Sequence, residues 1–99
     1  MAKYFLTHKA VDDLSKIWEY TYDVWSENQA DKYYQLLIET CREISKSPDI
    51  GENYNEISDD LLGLRVGKHV IFYRKIKNKE IEVLRILHER MDLKNRIEE

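Results

Sequence analysis

A chain of 99 residues, 42% hydrophobic and 11% aromatic, is too short for two cores and too apolar to stay unfolded. Its net charge of −3 excludes a dedicated nucleic-acid-binding composition, and no run of roughly 18 apolar residues is present to span a membrane. A single cysteine, Cys41, excludes a disulfide within the chain, and Thr7-His8-Lys9 cut the N-terminal apolar run too short for a secretory signal. These features predict a cytoplasmic protein of one domain.

Residues 3–6 read as a short strand. Thr7 is placed to cap a following helix, with Asp12 and Asp13 near its positive end. Ala10, Leu14, Ile17, Trp18, Thr21 and Trp25 recur at three- and four-residue steps and so share one side of that helix. Ser26 and Gln29 have capping-box spacing and open a second helix. Its apolar row is Ala30, Tyr34, Leu37, Cys41 and Ile44, and Pro48 stops it. Cys41 within that row reads as a small buried hydrophobe. Two amphipathic helices so closely joined predict an antiparallel hairpin.

Residues 49–60 are polar and acidic and read as a loop. The period then becomes two, with Leu62, Leu64 and Val66 alternating with Gly63 and Arg65. Gly67-Lys68 predicts a two-residue hairpin turn. The strand from His69 to Ile76 puts Val70, Phe72 and Ile76 on one side and Ile71 and Tyr73 on the other. Lys77-Asn78-Lys79 turns the chain into a last strand, residues 80–88. There Ile81, Val83 and Leu87 take one side and Leu84 and Ile86 the other. Apolar residues on both faces predict a sheet covered twice, by the helical hairpin on one side and by a partner on the other. The order β-α-α-β-β-β predicts an α+β fold, a helical hairpin packed on a twisted antiparallel sheet.

Little of the sequence points to reaction chemistry. His8, His69, His88 and Cys41 have no zinc-ligand spacing, and the glycines Gly51, Gly63 and Gly67 form no phosphate loop. No Cys or Ser is paired with an activating base. The expectation is therefore no metal, no cofactor and no catalytic residue. Charge is the stronger signal. Residues 1–60 carry 6 Lys/Arg against 13 Asp/Glu, and residues 61–99 carry 10 against 6. Arg65, Arg85, His88 and Arg90 gather in the basic part. Arg85 lies on an apolar row, where a charge needs a partner or an open face. It either pairs with Asp92 or an acid of the helices, or joins a cationic surface that grips an anionic partner. Trp18, Tyr22 and Trp25 serve either the core or an interface.

The segments His69-Val70-Ile71-Phe72-Tyr73-Arg74 and Ile81 to Leu93, with Leu-His-Glu-Arg-Met-Asp at 87–92, resemble the C-terminal signature of ParE-type toxins. These form one branch of the RelE/ParE toxin–antitoxin superfamily. Leu6-Thr7, Ala10, Asp13-Leu14, Ile17, Trp25, Pro48-Asp49-Ile50-Gly51 and Arg65 extend the resemblance over nearly the whole chain. The resemblance implies the RelE/ParE fold and a small ParD-like antitoxin that wraps the toxin in a hetero-oligomer. Such antitoxins carry the DNA-binding domain, so operator DNA would be met only through the partner. It also implies inhibition of DNA gyrase by direct binding, with Arg65, Arg85, His88 and Arg90 as target-binding candidates. Leu14, Trp18 and Trp25 are candidates for the antitoxin groove or for the core.

The alternative is the RelE branch, ribosome-dependent mRNA endonucleases that use basic residues with a tyrosine or histidine to activate the ribose 2′-OH. Here Val70 stands where that branch commonly has a basic residue. His88 is followed by Glu89, whose carboxylate repels an RNA phosphate. Both departures favour gyrase inhibition over RNA cleavage.

Overall fold

The structure, a computed structural model, describes residues 2–77 and 79–98, Glu98 by its backbone alone. Strand β1 (Lys3–Leu6) leads into helices α1 (His8–Val24) and α2 (Glu27–Lys46). A single 3-10 turn (Pro48–Ile50), a short β2 (Glu52–Asn53), β3 (Leu62–Val66), β4 (His69–Lys77), β5 (Glu80–His88) and α3 (Leu93–Glu98) follow. The caps lie where the sequence places them. Thr7 Oγ1 accepts the Ala10 N–H at 3.1 Å and Ser26 Oγ accepts that of Gln29 at 3.1 Å. Thr7 also donates to the Leu84 carbonyl at 2.8 Å, which ties the start of α1 to the sheet. No helix among the described residues is long and apolar enough to cross a membrane.

The strands run in the order β1-β5-β4-β3-β2. Strands β2 to β5 pair antiparallel, but β1 lies parallel to β5, from Lys3 opposite Glu80 to Leu6 opposite Val83. The sheet is therefore mixed, not antiparallel throughout. The long path through both helices and two hairpins supplies the crossover that a parallel pair needs. In the β3–β4 turn the first residue, Gly67, has φ +58°, and a Cβ there would lie 2.6 Å from the Tyr33 hydroxyl. The predicted turn at 77–79 places Asn78 outside the described residues.

Two hydrophobic clusters flank the sheet. On one face, Ala10, Leu14, Leu37, Cys41 and Ile44 of the helices meet Ile71, Tyr73, Ile81, Val83 and Ile86. On the other, Leu61, Val70, Phe72 and Leu87 are covered by Tyr54, Ile57, Leu84, Leu93 and Ile97. The 54–61 loop and α3 of the chain itself thus supply cover on this second face, where the sequence pattern predicts a partner. That loop is also more ordered than its composition predicts. Tyr54 N–H bonds the Leu61 carbonyl, and the Asn53 and Asn55 side chains accept from Asn55 and Asp60 N–H groups.

The predicted rows of β5 need a correction. Phe72 pairs with Arg85 but Tyr73 pairs with Val83, so Leu84 is an extra residue in the ladder. This bulge carries Ile86 onto the face of Ile81 and Val83, and leaves Leu84 and Leu87 on the opposite one. A second irregularity between Lys75 and Lys77 frees Ile76 from the Val70–Phe72 row, and Ile76 is exposed.

Candidate partner-binding surfaces

The two hairpins bring the ends of β3, β4 and β5 together. His69 stands directly opposite His88, and Arg65 opposite Val70. The rings of His69 and His88 meet edge to face, with centroids 5.3 Å apart. From α2, Tyr33 reaches over the β3–β4 turn, and its hydroxyl lies 2.6 Å from His69 Nδ1. The Lys68 N–H donates to that hydroxyl at 3.2 Å. The hydroxyl also lies 3.4 Å from the Val66 carbonyl, and which of Tyr33 and His69 donates in their 2.6 Å bond follows the His69 tautomer. His88 Nδ1 accepts the Arg90 N–H at 3.1 Å. Both rings therefore have Nδ1 engaged within the fold.

Electrostatics act on His69 and Tyr33 in opposite directions. Burial, and then the neighbouring His88, lower the pKa of His69 to about 4, against weaker opposition from Glu89 and Asp13. Burial also raises the Tyr33 phenol, a shift the Lys68 N–H reduces and Glu89 adds to. Around neutral pH, His69 and Tyr33 are therefore both uncharged. The charges at this end belong to exposed groups, Lys68, Arg90, and an Arg65–Glu89 ion pair of 2.9 Å. Surface pairs of this kind contribute little to stability.

The predicted basic cluster divides. Arg65, His88 and Arg90 share the sheet end, with Glu89 joining Arg65 to the 88–90 segment. Arg85 does not display its charge there. Its guanidinium binds both oxygens of Asp13 on α1, at 2.8 and 3.0 Å, and donates to the Arg96 carbonyl of α3 at 2.7 Å. Both side chains of the pair are nearly buried, at 12% and 10% exposure. Of the two readings of Arg85, the carboxylate pair is the one the structure forms, with a helix acid and not Asp92. Tyr33 and His69 were not singled out from the sequence. Tyr33 stands beside the apolar row of α2, and His69 gains meaning only once both hairpin registers are known.

The aromatic candidates also separate. Leu14 is in the core, 3% exposed. Trp18 is half-buried, stacks on Tyr22 at 5.2 Å, and donates its indole N–H to Asp31 of α2 at 3.0 Å. Trp25 is 73% exposed. It sits at the C-cap, where φ −117° and ψ −82° leave the helix and take it off the core row. Val11, Tyr22 and Val24 are exposed on the same helix. Among the described residues no group of three or more His, Cys, Asp and Glu side chains could hold a metal ion.

Residues 4–93 match the family described as the ParE toxin of the type II toxin–antitoxin system parDE. The chain is 36% identical over 92 residues to Toxin ParE1 of Mycobacterium tuberculosis, covering 93% of this chain and 94% of that one. It is 32% identical over 92 residues to Toxin ParE1 of Caulobacter vibrioides, with the same shares covered. To Toxin ParE of Escherichia coli it is 30% identical over 97 residues, covering 98% and 94%. Among solved structures, the chromosomal ParDE TA system from P. aeruginosa contains a chain that superposes with a TM-score of 0.73 at 23% identity, covering 89% of this chain and 96% of that one. The toxin–antitoxin complex RelBE2 from Mycobacterium tuberculosis contains another, with a TM-score of 0.68 at 18% identity and coverage of 88% and 96%.

Proposed function

This chain belongs to the ParE toxin family of type II toxin–antitoxin systems, and we propose that it poisons DNA gyrase by direct binding, without catalysis. The observation that carries this reading is the state of the two histidines at the sheet end. RNA cleavage needs a group free to take the 2′-OH proton, a tyrosine or histidine in the RelE branch. His69 Nδ1 is hydrogen-bonded to the Tyr33 hydroxyl at 2.6 Å and His88 Nδ1 accepts the Arg90 N–H at 3.1 Å, so both atoms are engaged within the fold. Burial with the neighbouring His88 makes His69 a weak base, its pKa lowered to about 4. Glu89, held by Arg65, adds negative charge where an RNA phosphate would sit. The arrangement favours recognition over RelE-type chemistry. Arg65, His88 and Arg90 are the proposed target contacts, and Arg85 supports them from within the fold.

The resting partner in this proposal is a ParD-like antitoxin, which brings operator DNA into the complex through its own domain. Trp18, Tyr22 and Trp25 are the proposed anchors for its wrapping segment, since exposed aromatics release the most free energy when an interface covers them. Leu14 lies beneath this surface and supports it. The site of action is the cytoplasm.

Inducing the chain alone should arrest growth, and plasmid supercoiling should fall before bulk mRNA is degraded. Co-expression of the short reading frame adjacent to the gene should restore growth. Loss of mRNA ahead of any change in supercoiling would replace this reading with the nuclease one.

A further inference from the structure

On the sheet face opposite the helical hairpin, an open cleft of about 390 Å³ lies where the start of α1 meets β4, β5 and α3. Its apolar lining is Leu84 and Ile97, both packed on the second hydrophobic cluster. Its cationic lining is Lys9, Arg74 and Arg85. Arg85 is already matched by Asp13. Arg74 is not matched. Among the described residues its N–H groups reach only neutral oxygens, the Ser58 hydroxyl and the Asp59 carbonyl. Glu82 stands opposite Arg74 in the β4–β5 ladder, yet among the described residues neither Arg74 nor Lys9 has a carboxylate at ion-pair distance. The first turn of α1 carries no acid either, so its positive end adds to the same field.

From this combination we infer that the cleft is a binding site for a small organic anion, a carboxylate on a short aliphatic stem. A bare inorganic ion would satisfy Arg74 and Lys9 but leave Leu84 and Ile97 against water. A neutral apolar molecule would cover those two and leave the positive charge unanswered. A group with one anionic end and one apolar end meets both, and the volume lies within the range of small-ligand sites. The site is separate from the sheet end and stands whether or not gyrase is the target.

The test is an amide chemical-shift titration of the ¹⁵N-labelled protein with sodium hexanoate, 1-hexanol and sodium phosphate at matched ionic strength. Hexanoate should shift the amides of Lys9, Ser58, Leu84 and Ile97 together and saturate in the millimolar range. The alcohol and the phosphate should each bind about tenfold more weakly or not at all. Arg74→Gln should weaken hexanoate about fivefold or more, and Lys9→Gln about threefold. Lys9 is exposed, so that variant keeps the test valid if Arg74→Gln fails to fold. An equal response to hexanol or to phosphate, shifts scattered without saturation, or indifference to both substitutions would overturn the inference.

Discussion

The carboxylate of Asp13 and the guanidinium of Arg85, 72 positions apart in the chain, are joined by hydrogen bonds of 2.8 and 3.0 Å, and the same carboxylate accepts the Ile86 N–H at 3.0 Å. Strand β1 ends at Leu6, opposite Val83, so β5 beyond that point has no neighbouring strand on that side. Asp13 stands in for the missing strand at Ile86, and the bulge at Leu84 sets Arg85 within its reach. One acid therefore holds α1, β5 and, through Arg85 and Arg96, α3 in register.

Removing that acid should be costly. Asp13→Ala takes the carboxylate away from a nearly buried guanidinium and removes the acceptor of a buried N–H, and should destabilise the fold by about 3 kcal/mol. Asp13→Asn keeps part of the hydrogen bonding and should lose less. Urea denaturation midpoints check the order, and an Asp13→Ala variant as stable as the parent would remove the pair from the account of the fold.

The depressed pKa of His69 gives a pH dependence whose sign is fixed. Above pH 6.5 the ring is neutral in both folded and unfolded chains and contributes no slope. Between 6.5 and about 4 the unfolded chain binds a proton that the folded one refuses. Stability should therefore fall as pH drops through that window, by roughly 2–3 kcal/mol, and level off below it as far as this residue is concerned. His69→Phe should flatten that part of the curve, and an unchanged slope in the variant would assign it to other groups.

Leu14 and Trp25 came from one helical row but should behave in opposite ways. Leu14→Ala opens a cavity in the core and should cost about 2–4 kcal/mol of stability. Trp25→Ala should change stability by less than about 0.5 kcal/mol. If the exposed row receives the antitoxin, the same change should cost about 2 kcal/mol or more of binding, measured by calorimetry. Unaltered affinity would move the interface elsewhere.

Cys41 should be chemically silent. It is fully buried, and burial pushes its thiol up to about 12, so almost no thiolate forms at neutral pH. A disulfide reagent should label it only as fast as the protein opens, with rates rising with urea. Rapid labelling in native buffer would indicate local opening of α2.

Much of the fold is legible in periodicity and caps. The helical steps of α1 and α2, the Thr7 and Ser26 caps, and the Gly67 turn all act locally, so neighbouring residues announce them. Failures came where geometry depends on distant residues. The bulge at Leu84 shifts one face of β5 without changing its alternating pattern, and α3 is short and mostly polar. Cover for the second face came from Tyr54, Ile57, Leu61, Leu93 and Ile97, apolar residues spaced too irregularly to show a period. At the site, Arg65, His88 and Arg90 were readable from residue type and position. The need of Arg85 for a carboxylate or an open face was readable too, but not that Asp13, 72 residues away, meets it, and the Tyr33–His69 bond, across 36 residues, was not.

The central claim is that this toxin acts on gyrase by binding alone. Its most direct test is a supercoiling assay with purified gyrase, relaxed plasmid and increasing amounts of the purified chain. Supercoiling should fall in proportion to the toxin added, and charge reversal at Arg65 and Arg90 together should restore it. Undiminished supercoiling at micromolar toxin, with the same preparation cutting mRNA in a translating extract, would contradict the account.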